Sequence, residues 1–271
     1  MKIDYRISAV KPYINWDYFY FAWGVHNKPQ EEKQRLRDEA ERLLQKHGGH
    51  YQTHALFLLL NANSDGDDIL AGYPGQGAGE RLRLPFLRQQ HGDICLCLAD
   101  FIRPLSAGID DQMGIFAATT DEAMVSDFDH DPYLKMMMQL LADRLAEATA
   151  ERLHKEVRQT YWGYAADEHL SMDDLHMEKF QGIRPAVGYP SLPDASFNFL
   201  IDRLLHMNQI GITLTENGAM KPHASVSGLM IAHPEARYFD VGKIDEQQLH
   251  DYARRRGLPV EKMRKFLQGN M

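Results

Sequence analysis

Between Gly182 and Pro193 the chain carries prolines at 185, 190 and 193 and glycines at 182 and 188, and this stretch constrains the fold more than any other. Each proline fixes φ and lacks the N–H that a helix interior needs, while glycine admits turns closed to other residues. The predicted backbone is therefore extended and tightly turned, and it presents its own carbonyls and amides. Arg184 heads the stretch with a permanently charged fork suited to a carboxylate, and Tyr189 adds a flat ring with a polar tip. Composition alone equally accommodates an ordinary Pro-rich connection whose arginine makes a surface salt bridge.

The chain changes character at this bend. Before it, Pro132 opens the longest helical pattern, with Leu134, Met138, Leu141, Leu145 and Ala148 on one face, running to about Val157. Earlier still, a surface helix is predicted from Lys28 to Gly49, with Pro29 in its first turn and Gly48 as a left-handed stop. Short apolar runs at His54–Leu60, Ile94–Phe101 and Gly114–Thr119 read as strands joined by turns. A short helix at Ser171–Phe180 leads into the bend. After it come a helix at Asp194–Met207, strands at Ile210–Thr215, Val226–Ala232 and Tyr238–Val241, and two terminal helices, with Gly257 closing the first and Pro259 starting the second. Such irregular blocks favour an antiparallel sheet and the α+β class over a doubly wound parallel sheet. One domain over residues 1–271 is the simplest division, with a hairpin-like loop at Gly72–Gly79 as its most mobile surface.

The chain is 44% hydrophobic, enough for a core, yet its longest apolar runs fall far short of the roughly 20 residues of a membrane-spanning helix. The charged N-terminus has no apolar signal region, so cytoplasmic residence is expected. The net charge of −8 argues against a phosphate-neutralising nucleic-acid surface. A small molecule or a protein is the expected partner, with no nucleic acid and no membrane. Cys95 and Cys97, read as i and i+2 on a strand, are expected to be buried thiols on one face, too far apart for a relaxed disulfide.

Several features could carry chemistry. Asp143, Glu147 and Glu151 recur every four residues on the long helix and form a carboxylate stripe able to cradle a cation; the ordinary reading is a solvated face balanced by Arg144, Arg152 and Lys155. Gly75–Gly79 mimics a nucleotide-binding glycine loop, but Pro74 and Pro85 flank it and no βαβ unit surrounds it. His47, His50 and His54 cluster in sequence, yet Gly48 and Gly49 break the helical ligand spacing. No nucleophile elbow, P-loop or zinc-hydrolase helix occurs, so the reactive atoms of any enzyme built on this chain come from cofactors.

The stretch Arg184-Pro185-Ala186-Val187-Gly188-Tyr189-Pro190 resembles the Arg-Pro-Ala-x-Gly-Tyr-Pro signature of the activation domain of cobalamin-dependent methionine synthase. In the same order so do Tyr13-Ile14-Asn15-Trp16, Leu87-Arg88-Gln89-Gln90, Cys97 to Phe101, Ala142 to Ala148, Tyr161 to Ala165, Gln181-Gly182-Ile183, Ala224 to Gly228, His233-Pro234 and Asp251 to Arg255. The resemblance implies a single C-shaped α+β domain, with a central antiparallel sheet flanked by helices and a shallow S-adenosylmethionine site. It implies that Arg184 grips the ligand carboxylate, that the backbone of Ala186 and Gly188 lies along it, and that Glu147 faces its cationic part. Tyr238 and Phe239 line the pocket, and Tyr189 lies towards the corrin. Asn15 stands where the family usually has an aspartate that helps to bind the ligand, so it keeps an acceptor and loses a charge.

The activity implied is reductive reactivation of methionine synthase in trans, with a methyl group presented to reduced cobalamin bound by a partner chain. Flavodoxin or a similar protein would donate the electron. The Asp-x-His-x-x-Gly pattern of a cobalamin-carrying domain and the three thiolates of a zinc site are both absent, so this chain is not expected to make methionine alone. Its charged start and short tail lead to the expectation of a whole gene product. Two rival readings are a noncatalytic S-adenosylmethionine sensor or corrinoid-docking module, and a self-sufficient methyltransferase resting on the glycine loop and requiring a parallel sheet.

Overall fold

The computed structural model describes residues 1–271, the side chain of Ala78 excepted. In chain order its elements are β1 (Lys2–Arg6), α1 (Ile7–Val10), α2 (Trp16–Trp23), α3 (Gln30–His47), β2 (Gln52–Asp65), β3 (Asp68–Gly72), β4 (Leu82–Pro85), β5 (Asp111–Thr120), α4 (Ala123–Ser126), α5 (Pro132–Glu156), α6 (Met172–His176), α7 (Phe197–Leu205), β6 (Thr213–Leu214), β7 (Met220–Lys221), β8 (Ser225–Met230), α8 (Glu246–Arg256) and α9 (Val260–Phe266). Strand pairing runs β4-β3-β2-β5-β8, all antiparallel, and β1 pairs with β2. The long β2 serves two partners on one edge: Gln52–Leu56 pairs with β1 and Asn61–Asp65 with β3. The sheet curls into a half-barrel flanked by helices, so the expected α+β class with its central antiparallel sheet is what the chain adopts.

Residues of β2 and β5 alternate between two cores, as a period of two requires. Ala55, Phe57, Phe116 and Ala118 face α2, α3 and α5, whereas Leu56, Leu60, Ile115 and Ala117 face α7 and the loops around it. The long helix lies across the first of these faces. Its predicted apolar stripe is buried at Met138, Leu141, Leu145 and Ala148, but so are Met137, Ala142, Thr149, Ala150 and Leu153. Burial on more than one side places α5 between the sheet and further chain, and the bend after Gly182 is part of that cover.

The bend docks along β8 as an irregular strand. Ile183 and Ile231 exchange backbone hydrogen bonds at 2.9 and 3.0 Å, Pro185 accepts from Leu229 at 3.0 Å, and Val187 donates to Ser227 at 2.9 Å. A proline belongs on such an edge, because the donor it lacks would only shorten a ladder already ending. Two glycines make the approach possible. A Cβ on Gly228 would press into the Pro185 carbonyl and lie 2.9 Å from the Ala186 Cα, and one on Gly182, where φ is +83°, would strike the Ile231 carbonyl. Beyond the bend, α8 and α9 pack on Leu87, Val241 and Ile244. The Tyr252 hydroxyl donates to Asp194 at 2.9 Å and Arg256 pairs with the same carboxylate at 3.3 Å, which ties the end of the bend to the C-terminal helices.

Several local expectations change. Ile94–Phe101 forms no strand; Leu98–Phe101 is a 3-10 turn whose Asp100 carboxylate accepts from the Cys97 amide at 2.8 Å and takes both arms of Arg88. Side-chain hydrogen bonds of that kind compete with a strand ladder. Consequently only Cys97 is buried, its thiol pushed up to about 12 by desolvation, while Cys95 is half-exposed. Gly48 is not left-handed: its φ is −62°, and it is needed because a Cβ would press on the Leu44 carbonyl and lie 3.2 Å from Ile7. Tyr238–Val241 has no strand partner, and the helix before the bend is confined to α6. The Gly75–Gly79 segment lies between β3 and β4 in a sheet whose named strands all pair antiparallel, which removes the support for a self-sufficient nucleotide-fold methyltransferase; the side chain of Ala78 lies outside the described residues. Among the described residues no helix is long and apolar enough to cross a membrane.

Candidate functional site

Where α5, the bend and the start of α2 converge, a cleft of 570 Å³ opens, lined by residues from Tyr13 to Asp240. Helical spacing supplies one wall: Arg144, Glu147, Ala148 and Glu151 occupy one face of α5. The bend supplies the opposite wall with Arg184, Pro185, Ala186, Tyr189 and Pro190, and Tyr238 and Phe239 close the floor. The floor is stapled to the bend. Ser191 Oγ donates to the Phe239 carbonyl at 2.6 Å, Val241 donates to Pro190 at 3.0 Å, and the Tyr238 hydroxyl accepts from the Arg184 amide at 2.9 Å. Because the Ile183 amide is committed to β8, the next amide faces the other way, and that alternation brings Arg184 to Tyr238.

Of the predicted site residues, Asn15, Glu147, Arg184, Ala186, Tyr189, Tyr238 and Phe239 line this one cleft. Gly188 does not. Its amide donates to the Leu192 carbonyl at 2.8 Å and its φ of +88° turns the chain, so its part is to shape the bend. Asn15 caps α2, its Oδ1 accepting from the Asp17 amide at 3.1 Å. Tyr189 stands half-exposed at the rim and donates to Glu147 at 2.9 Å, which with burial raises its hydroxyl pKa.

The carboxylate stripe is not a solvated face. Glu151 is buried, and its Oε2 accepts from Arg184 Nη2 at 3.1 Å while Arg184 Nη1 donates to the Ala150 carbonyl at 3.1 Å. Burial pulls the Arg184 pKa down, but Glu151, Tyr238 and Glu147 together outweigh it and hold the guanidinium charged. The expected balancing cations do other work. Arg152 pairs with Glu156, and Arg144 forms no ion pair or hydrogen bond among the described residues, although its Nε is buried. Asp143 instead meets Gln139 and His223.

Two further residues of the cleft were not among the expected ligand contacts. Glu178 lines the cleft with φ of +55°, an uncommon conformation for a non-glycine residue that draws attention to a site. Its carboxyl pKa is raised by burial, against the pull of Arg184. The other is Glu151, for which the four-residue spacing was a signal and only its burial was hidden. The cleft thus sets Glu147, Glu151 and Glu178 around Arg184, an arrangement fitted to a molecule that carries both a carboxylate and positive charge.

The remaining candidates lie elsewhere. A larger hollow of 880 Å³ between α1 and α3 holds none of the predicted residues, and none of its lining atoms is an unpartnered buried group among the described residues. The clustered histidines separate: His54 bridges Asp4 and Asp121 at 2.7 and 2.9 Å, His47 packs on Phe128, and His50 packs on Tyr51.

The family model described as "Vitamin B12 dependent methionine synthase, activation domain" matches residues 6–257. A solved structure, "Crystal Structure of the MetH Reactivation Domain bound to AdoHcy", is similar to this chain with a TM-score of 0.91 and 36% sequence identity, over 100% of this chain and 90% of that one.

Proposed function

We propose that this chain, which belongs to the activation-domain family of vitamin B12 dependent methionine synthase, binds S-adenosylmethionine in the cleft and presents its methyl group to reduced cobalamin held by a partner chain. One observation carries the reading: a guanidinium at the head of the bend and the carboxylates of Glu147, Glu151 and Glu178 face the same cleft. Arg184 is placed to take the ligand carboxylate through its remaining N–H groups. Glu147 and Glu178 supply negative potential for a cationic centre, and Ala186 offers backbone beside it. Tyr189 at the rim faces the side from which a corrin would dock. Bound there, the ligand supplies a sulfonium methyl for cob(I)alamin and leaves as S-adenosylhomocysteine. The protein contributes approach geometry and electrostatics, and no acid-base dyad is required. An electron donor such as flavodoxin belongs to the same reading.

Mixing the chain with a cob(II)alamin-loaded partner, a reductant and methyl-labelled S-adenosylmethionine tests it, the expected product being labelled methylcobalamin. Binding of the nucleoside without methyl transfer would leave the sensor reading in its place. That alternative has one observation in its favour, since Asn15 is uncharged and its oxygen is already spent on the helix cap.

A pH dependence follows from Glu178. Its carboxyl pKa lies above the ordinary glutamate value, so the charge that favours a cation is lost earlier on acidification than for an exposed glutamate. S-Adenosylmethionine affinity, taken relative to S-adenosylhomocysteine, which lacks the sulfonium charge, is expected to fall as pH drops through that raised pKa. Titration calorimetry of the wild type and Glu178→Gln checks this: the variant should show a flattened pH response, and an unchanged response would remove Glu178 from the role.

A further inference from the structure

Glu151 presents an unusual combination. It lines the cleft, is only 9% exposed, spends one carboxylate oxygen on Arg184, and leaves its buried Oε1 without a partner among the described residues. A buried carboxylate with unused acceptor capacity costs free energy that a donor in the cleft would recover. The other acidic groups are differently placed: Glu147 already accepts from Tyr189, and Glu178, although partly desolvated, is more open to solvent than Glu151. Asn15 cannot stand in, because it has no charge and its oxygen caps α2.

We infer that Glu151 is the specificity-determining residue that recognises the α-ammonium group of the ligand, exchanging its Arg184 partner for that group on binding. The inference rests on the functional reading given above. Arg184 and Glu151 form a buried ion pair through Oε2, which leaves Oε1 of the glutamate unmatched. An amino acid carries the complementary pair on one carbon, so its carboxylate takes Arg184 while its ammonium takes Glu151. No buried charge is left alone. A ligand with the carboxylate only would strand Glu151, and one with the ammonium only would strand Arg184; stranding a buried charge is what makes such sites selective.

The test compares S-adenosylhomocysteine with the analogue bearing hydrogen in place of the α-amino group, by calorimetry on the wild type and Glu151→Gln. The wild type is expected to prefer the amino ligand by roughly 10- to 100-fold, the range for a charged hydrogen bond. In Glu151→Gln that preference should collapse to within about twofold, with the deamino ligand bound no more weakly than by the wild type. A variant that keeps the preference, or that loses both ligands equally, overturns the inference; the second result would leave Glu151 a mere support for Arg184. Should the glutamine variant fail to fold, the wild type alone decides, since equal affinity for the two ligands also overturns it. A wild type that binds neither ligand would instead bring down the functional reading itself.

Discussion

Arg184→Ala is expected to lower S-adenosylhomocysteine affinity by at least roughly 100-fold, the loss of a charge-assisted, multiply bonded carboxylate contact worth about 3 kcal/mol. It should also lower stability. Among the described residues the guanidinium is the only cation paired with Glu151, and removing one partner of a buried pair leaves the other uncompensated. The full effect for a sealed pair is about 3–5 kcal/mol; both side chains here keep 12–14% exposure, so about 1–3 kcal/mol is expected once solvent screening is allowed for. The two consequences separate in the double variant Arg184→Ala/Glu151→Gln, which should regain most of the melting temperature and none of the binding. Calorimetry and thermal melts of the three proteins check this. Restored binding in the double variant would show that Arg184 serves the fold and not the ligand.

The second large effect comes from a residue that never touches the cleft. Gly228→Ala adds a methyl group where the Pro185 carbonyl, the Ala186 Cα and the Phe116 ring already close in. Backbone on one side and a packed ring on the other cannot yield cheaply, so about 1–3 kcal/mol of stability is lost to overpacking. The bend must also move away from β8. Arg184 and Ala186 move with it, and affinity should fall on the order of tenfold as hydrogen bonds of about 1–2 kcal/mol are misplaced. Gly49→Ala is the matched control, because nothing lies within 4 Å of the added Cβ. If Gly228→Ala binds as tightly as the wild type, the bend is positioned by something other than its contact with β8.

Where local rules and tertiary packing agreed, the sequence was readable. Pro132 and the 3.6-residue apolar pattern located α5, Gly257 and Pro259 marked the two terminal helices, and the clustered prolines announced the bend. Reading failed where a distant partner decided the outcome. Ile94–Phe101 has strand composition, but Asp100 and Arg88 capture its backbone and carboxylate. Tyr238–Val241 looks like a strand and is instead held by Ser191 and Pro190. β1, with its exposed charged residues, has no alternation strong enough to stand out and exists because β2 offers it an edge. The site divides in the same way. Seven of the eight residues named through the family resemblance line the cleft, whereas the burial of Glu151 depends on what covers α5, and periodicity within one helix cannot report that.

The walls of the cleft come from positions as far apart as Tyr13 and Asp240. A ligand seated there acts as a clasp on almost the entire chain, because no short segment holds even half of its contacts. Occupancy at a hundredfold excess over Kd adds about 2.7 kcal/mol to global stability. With the proposed nucleoside as that ligand, abundance of the folded protein in a cell would track the nucleoside's supply.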